Sequence, residues 1–296
     1  MTDNTGAVYD LGYEPYEGDR RGRSGARRTL VADGVRKVLG FRRKARRKIM
    51  PFTLVGIAVI PTIVAVGVGF IVPGAAADSG LSTLNADMFV LGGTMAMLFT
   101  ALAAPELLVP DRSDGVLSML SSRPLTPLDY VASRFAAIIA VVAGFLLLPQ
   151  LVLYIGQAGT DADGIVNGIV EHADNLPRIV LATFGYAMAF VPIGFVIAGY
   201  SKRKAIASSI YIAVMLGLSI LGDVIVHQSD IPGGRWIALI VPLTTSNDVA
   251  RWIFGSTDPE SLLDAAGIDP AVALLALVLM GVASMALVLH RYRRLM

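Results

Sequence analysis

The chain has 296 residues, of which 54% are hydrophobic and only 16% are charged, and its mean hydropathy is +0.64. Soluble globular domains average ~45–50% apolar and ~25% charged residues, so this composition excludes an ordinary soluble domain and indicates a multi-pass membrane protein. The chain has no cysteine and three widely separated histidines, which excludes disulfides, thiolate metal sites and cysteine nucleophiles and argues against a histidine-rich metal site.

The first 49 residues are polar and strongly basic. Residues 1–25 are rich in Gly, Asp, Glu and Arg, which predicts a flexible cytoplasmic segment. Over residues 26–49, apolar side chains recur at helical spacing beside dense Lys and Arg. This pattern predicts a basic amphipathic helix lying at the membrane interface. The alternative is a charge cluster that only sets the topology.

The remaining residues, 50–296, form a predicted six-span domain. A helix needs ~20 apolar residues to cross the hydrocarbon core, and six stretches are long enough. Of the 25 Lys and Arg residues, 22 fall before span 1, between spans 2 and 3 as far as Arg134 in the first turn of span 3, between spans 4 and 5, or after span 6. The positive-inside rule makes that side cytoplasmic. We therefore predict an all-α integral membrane protein with both termini in the cytoplasm. The predicted spans are 50–72, 86–108, 131–155, 178–200, 205–226 and 270–289.

The connection between spans 2 and 3 contains a short amphipathic pattern. We predict a short helix that begins after Asp111 or Ser113 and ends at Arg123 and Pro124. Thr126 is predicted to cap the next helix, with Pro127 in its first turn. Such a helix, held just below the membrane, suits a lever moved by a cytoplasmic partner. The alternative is a structured loop without a partner.

Span 5 carries small residues at every fourth position, which places them on one helix face. Small side chains allow another helix to approach closely. This face is predicted to pack within the chain, at a subunit interface or along a pore wall. Its residues are Ala205, Ser209, Ala213 and Gly217.

The last external connection, residues 227–269, is predicted to be helical. Its apolar run 236–243 is too short to span a membrane and indicates a re-entrant or interfacial segment. Ser246 or Asn247 is a predicted helix cap, and Gly267 is a predicted helix end.

Sequence motifs for catalysis are absent. The chain has no G-x-x-x-x-G-K-[ST] loop, no H-E-x-x-H and no G-x-S-x-G, and no span carries paired carboxylates. We therefore predict that this chain is not an enzyme. Asp87, Glu106 and Asp223 are the acidic residues of the spans, and all three are predicted to lie near span ends. This argues against a transporter driven by an ion gradient, which stays an alternative together with a non-transporting scaffold for an ATPase.

Two segments resemble a known family. A carboxylate ending span 2 is followed by Pro-Asp-Arg-x-x-Gly-x-Leu, then Ser-Arg-Pro-Leu and Asp-Tyr, within residues 104–130. This order resembles the permease subunits of ABC-2-type transporters. Residues 9–18 are similar to the start of many actinobacterial members.

The resemblance implies a permease in the bacterial cytoplasmic membrane that exports its cargo. It implies an ABC ATPase partner that carries ATP and Mg, and a second permease copy or related permease, with no cofactor in this chain. Membrane lipid is an expected partner and nucleic acid is not. The segment between spans 2 and 3 would be the coupling helix that contacts the ATPase. The residues implied to couple the ATPase are Glu106, Asp111, Arg112, Gly115, Arg123, Pro124 and Asp129.

Two further expectations follow from the resemblance. Glu106 is expected to form a partly buried pair with Arg112 or Arg123. Spans 2 and 5 are expected to line the cargo path, and their Met and aromatic side chains favour a lipophilic or amphipathic cargo. The alternative is that these side chains face lipid or other helices. The candidate path residues are Met95, Phe99, Tyr211 and Met215.

Overall fold

The computed structural model describes residues 22–41, 46–71, 81–117, 125–160, 164–228, 232–256 and 261–294. Across these ranges the chain is helical and contains no β-strand. The α-helices are α1 (Gly22–Val38), α2 (Arg46–Ile71), α3 (Leu81–Ser113), α4 (Pro127–Gly159), α5 (Ile165–Glu171), α6 (Asn175–Tyr200), α7 (Lys204–Gln228), α8 (Pro242–Phe254), α9 (Leu262–Ala266) and α10 (Pro270–Tyr292). A 3-10 helix, Gly234–Ile240, precedes α8.

Six of these helices are long and apolar enough to cross a membrane: α2, α3, α4, α6, α7 and α10. The prediction of an all-α membrane protein with six spans is therefore confirmed. Helices α3 and α4 each have 33 residues, which corresponds to about 50 Å. A bilayer is only ~40–45 Å thick with its headgroups, so both helices extend beyond the membrane.

The junction between α3 and α4 contains the start of another helical segment. Helix α3 continues to Ser113, and Gly115 follows with a φ of 69°. Residues 116 and 117 are helical again, as a helix that begins after Ser113 predicts. Helix α4 begins as predicted, with Thr126 as its cap and Pro127 in its first turn. Residues 118–124, which include Arg123 and Pro124, lie outside the described residues.

Helix α1 packs against α3 and α4. It is shorter than the predicted helix, which extends to residue 49. It ends at Val38, and Gly40 follows with a φ of 71°, a backbone conformation that favours glycine. Leu30 and Val38 on its apolar face are buried against the spans. The basic residues at 46–48 begin α2. The predicted flexible segment covers residues 1–25, but residues 22–25 form the first turn of α1. Residues 1–21, including 9–18, lie outside the described residues.

Helix α6 lies at the centre of the bundle, and α3, α4, α8 and α10 pack around it. Its Tyr186 stacks on Phe89 of α3, with ring centroids 5.5 Å apart. Helices α2 and α7 are at the periphery and expose large apolar side chains such as Ile60 and Ile220. Side chains of this kind suit contact with lipid tails.

The segment between α7 and α10 forms a small helical unit on what we term the far face, where α4 ends and α10 begins. The 3-10 helix, α8 and α9 share a hydrophobic cluster that includes Val241 and Leu263. Asp248 accepts a hydrogen bond from the Leu263 backbone N–H at 3.0 Å. Tyr186 of α6 donates a hydrogen bond to Asn247 at 2.7 Å, which attaches the unit to the bundle.

The predicted caps of this unit are only partly right. Helix α8 begins at Pro242, so Ser246 and Asn247 lie inside it and do not cap it. Proline suits the first turn because its missing N–H needs no partner there. Gly267 ends α9 as predicted, with a φ of 64°.

Candidate functional site

A buried ion pair joins the last turn of α3 to the second turn of α4. The Asp111 carboxylate lies 2.7 Å from the Arg134 guanidinium, and the side chains are only 1% and 2% exposed. The Tyr130 hydroxyl donates a hydrogen bond to the same carboxylate at 2.9 Å. A carboxylate near a helix C-terminus is unfavourable because the helix dipole is negative there, so these donors are needed to hold Asp111 in place.

Helix α1 contributes to the same centre. The Lys37 ammonium forms a second ion pair with Asp111. Arg134 donates through Nη1 to the backbone carbonyl of Leu30 at 3.2 Å and to the Asp33 carboxylate at 3.1 Å. Three helices are therefore connected through one buried carboxylate and one buried guanidinium.

A second acidic residue, Asp129, connects the first turn of α4 to the start of α1. It forms a capping box with Thr126, because each residue's side chain accepts a hydrogen bond from the other's backbone N–H. Arg23 and Arg27 bind its two carboxylate oxygens at 2.7 and 2.5 Å. The hydrogen bond to Asp129 raises the pKa of the Arg23 guanidinium. The two arginines are about half exposed, so screening by water weakens these pairs.

Glu106, which is expected to pair with Arg112 or Arg123, forms an ion pair with a residue of α7. Its carboxylate lies 2.6 Å from the ammonium of Lys204, the first residue of α7. This partly exposed pair connects spans 2 and 5 at the level where α7 begins. Arg123, the other expected partner, lies outside the described residues.

Arg112 binds the end of α6. Its guanidinium donates hydrogen bonds to the backbone carbonyls of Gly199 and Ser201. The last four carbonyls of a helix have no partner within the helix, so the side chain of Arg112 supplies donors that α6 needs. This contact connects the end of span 2 to the turn between spans 4 and 5.

Aromatic contacts bring the end of α10 to the same level. Tyr292 stacks on Tyr130, with ring centroids 5.5 Å apart, and Arg134 lies over the Tyr130 ring. Arg291 lies 4.4 Å above the ring of Tyr200. We term the residues that make the ion pairs described above, together with Arg112, the charged layer. They are Arg23, Arg27, Asp33, Lys37, Glu106, Asp111, Arg112, Asp129, Arg134 and Lys204.

The predicted coupling residues divide into three groups. Glu106, Asp111, Arg112 and Asp129 all belong to the charged layer. Gly115 follows α3 at the entrance to the undescribed segment. Arg123 and Pro124 lie within that segment, so their role stays a prediction.

The sequence did not predict the residues of this chain that pair with Glu106, Asp111 and Asp129. One signal was available for Arg134, because it lies inside the apolar stretch predicted as span 3, where an ionisable residue is a functional candidate. In the sequence, Arg134 supports only the assignment of the cytoplasmic side. Nothing in the sequence pairs Lys37 or Lys204 with a particular carboxylate, because these contacts depend on how the helices pack.

The small residues of span 5 point away from the rest of the described chain. Ala205, Ser209 and Ala213 are exposed, and Gly217 has open space where a Cβ would be. Within the described residues, no helix of this chain packs closely on that face. Packing inside the chain is therefore not its use in this structure.

The candidate cargo-path residues lie mostly inside the bundle. Phe99 stacks on Phe145 at 4.8 Å, and the Tyr211 hydroxyl donates to the Phe190 carbonyl at 3.3 Å. Met215 is fully buried. Met95 is partly buried against the core. Their role in transport stays a prediction.

No cluster of three or more His, Asp or Glu side chains that could hold a metal ion occurs in the part of the chain that the structure describes. The charges of the charged layer pair with one another and with backbone carbonyls. The arrangement therefore suits mechanical connection of helices.

A comparison with protein families identifies the family. The profile described as an ABC-2 family transporter protein matches residues 51–290. This range covers all six spans and most of the charged layer. None of the curated proteins compared with the chain matches it.

Proposed function

Because the chain belongs to the ABC-2 family of transporter proteins and is thus a multi-pass membrane permease, we propose that it exports cargo with ATP hydrolysed by a separate subunit. The membrane is the bacterial cytoplasmic membrane. ATP and Mg²⁺ bind to the ATPase subunit, and this chain supplies the path and the mechanical connection. The observation that carries the proposal is the charged layer, which connects the end of α3 to four other helices at one face.

The distribution of charge supports a cytoplasmic position for this face. Exposed basic residues at the turn between α6 and α7 and after α10 lie on the same side as α1. An excess of Lys and Arg is typical of the cytoplasmic side of membrane proteins. Both termini are then cytoplasmic, and the far face is external.

The contacts of α3 explain how movement at this face would reach the spans. An ATPase that moves the segment after Gly115 would move the end of α3. Asp111 would transmit that movement to α1 and α4 through Lys37 and Arg134. Arg112 would transmit it to the end of α6, and Glu106 to the start of α7.

A second permease copy completes the proposed transporter. The exposed small-residue face of α7 would allow a helix of that copy to approach closely. The two copies would then form the path between them, with one ATPase bound to each.

Site-specific cross-linking in native membranes would test this proposal, and the absence of cysteine makes a single introduced cysteine unambiguous. Asp114→Cys introduces an exposed thiol beside Gly115, and Asn167→Cys is a matched exposed control on the far face. We expect a photoactivatable thiol reagent on Asp114→Cys to cross-link a P-loop ATPase that mass spectrometry identifies, and the control to leave it unlinked.

Three outcomes would contradict the proposal. An ATPase cross-linked equally from both positions would exclude docking at the charged face. A lack of any ATPase, with transport that collapses when an ionophore is added, would favour the ion-driven alternative. A cross-linked ATPase whose hydrolysis rate does not respond to the permease in liposomes would favour the scaffold alternative.

A further inference from the structure

The short helix α5, between spans 3 and 4, has an exposed apolar face. Val166 and Val170 are each 71% exposed, and Ile165 and Ile169 are also exposed. Successive residues of an α-helix are ~100° apart, so these four side chains fall within an arc of ~140°. Water does not favour an apolar arc of this width on an external connection.

The other residues of α5 lie on two further sides of the helix, one buried and one polar. Gly168 is buried, so its side of the helix faces the bundle. Asn167 and Glu171 are exposed and polar, and they share an arc of ~40° outside the apolar one. The helix therefore presents one side to the protein, one apolar side outward and one polar side outward.

A hydrogen bond determines the depth of α5 along α4. The buried Tyr154 of α4 donates through its hydroxyl to the Ile169 carbonyl at 2.6 Å. Tyr154 lies five residues, or about 7 Å of helix, before the end of α4 at Gly159. Between Gly159 and Ile169 the chain therefore turns back along α4 by about 7 Å.

The charged layer supplies the reference point for this depth. Arg134 is the last charged residue of α4, and Tyr154 follows it by 20 residues, or ~30 Å of helix. The hydrocarbon core of a bilayer is also ~30 Å thick. With the charged layer at the near edge of the hydrocarbon core, Ile169 would lie at the edge on the far side.

From these contacts we infer that α5 is an interfacial helix embedded in the leaflet of the far face, with lipid as the partner of its apolar arc. The polar arc faces water, and Gly168 allows the helix backbone to lie close to α4. Amphipathic helices at an interface bury their apolar side by ~5–10 Å. The inference does not depend on the direction of transport or on the ATPase.

Spin labelling of the full chain in vesicles of phosphatidylcholine and phosphatidylglycerol tests this inference. Single cysteines would replace Val166 and Val170 on the apolar arc, and Asn167 and Glu171 on the polar arc as matched controls. Collision with oxygen reports lipid, and collision with nickel ethylenediaminediacetate reports water. We expect the ratio of oxygen to nickel accessibility to be higher at 166 and 170 than at 167 and 171.

Three outcomes would overturn the inference. Equal, nickel-dominated accessibility at all four positions would place the helix in water. Low accessibility of 166 and 170 to both reagents would place the apolar arc against protein. Spectral broadening by a second label at these positions would identify that protein as another copy of this chain.

Discussion

The Asp111 carboxylate and the Arg134 guanidinium lie 2.7 Å apart in consecutive spans, and both are nearly inaccessible to solvent. Their burial makes each dependent on the other, because a buried charge without a partner is strongly unfavourable. The surrounding contacts with Lys37, Tyr130 and Asp33 attach α1 to the same pair. This pair is therefore the point at which the end of span 2 is held against span 3.

The first prediction concerns the stability that this pair provides. We expect Asp111→Ala to destabilise the protein by ~3–5 kcal/mol, because it leaves the Arg134 charge buried without this partner. Asp114→Ala, an exposed position three residues later, is the matched control and should have little effect. Thermal unfolding of the detergent-purified proteins measures both. Equal unfolding temperatures for the two variants would contradict the prediction.

A double variant separates loss of the pair from loss of packing. Apolar residues of similar volume often replace a buried ion pair at little cost. We expect Asp111→Leu with Arg134→Met to recover much of the stability lost in Asp111→Ala. A double variant that unfolds at or below the temperature of Asp111→Ala would show that the ionic contact itself is required.

The second prediction concerns Glu106, whose ammonium partner Lys204 begins α7. We expect Glu106→Gln and Lys204→Gln each to abolish the ATP hydrolysis that is coupled to transport, while membrane insertion stays normal. The reason is that each variant disconnects span 2 from span 5 at the charged face. The measurement is the ATPase rate of the permease–ATPase complex in liposomes, relative to the ATPase alone.

Lys202→Gln serves as the control because Lys202 is exposed in the same turn. A charge exchange, Glu106→Lys with Lys204→Glu, should restore part of the coupled rate. Wild-type coupled hydrolysis in Glu106→Gln would refute a coupling role for this pair.

The third prediction concerns how closely α1 packs on α4. A Cβ at Gly34 would lie 2.7 Å from the Cβ of Ala137 and 3.3 Å from a guanidinium nitrogen of Arg134, so a side chain does not fit without movement. Such overpacking typically costs ~1–3 kcal/mol. We therefore expect Gly34→Ala to increase transient detachment of α1 by about 5- to 150-fold.

Maleimide labelling of a single cysteine at the buried position Val38 would measure this detachment. Gly144→Ala is the matched control, because Gly144 is also helical and a Cβ there meets open space. Combining Gly34→Ala with Ala137→Gly should return the labelling rate toward that of the parent. Identical labelling rates for Gly34→Ala and Gly144→Ala would show that α1 is not held by this contact.

The fourth prediction concerns the proposed second permease copy. If the small-residue face of α7 meets its counterpart, Ala213→Cys should form disulfide-linked dimers under mild oxidation in membranes. Leu279→Cys, on the exposed apolar side of α10, is the control and should remain monomeric. Non-reducing gel electrophoresis distinguishes the two. Equal dimer formation from both positions would indicate random collision instead of a specific interface.

The class of this protein and the order of its spans follow from its amino-acid sequence. Apolar stretches long enough to cross a bilayer can be recognised in the sequence as helices, because each backbone polar group in lipid must be paired within its own helix. Helix ends that depend on neighbouring residues were also predicted correctly. Thr126 and Pro127 begin α4, and Gly267 ends α9, as predicted.

Which charged side chains pair with one another depends on how the helices pack. Glu106 binds Lys204, and α3 continues to Ser113 and carries Arg112 to the carbonyls at the end of α6. The depth of α5 likewise depends on one contact between Tyr154 and Ile169. Pairing in a helical bundle depends on helix lengths, rotations and crossing points. These are set by packing among all the helices, and no single stretch of the chain encodes them.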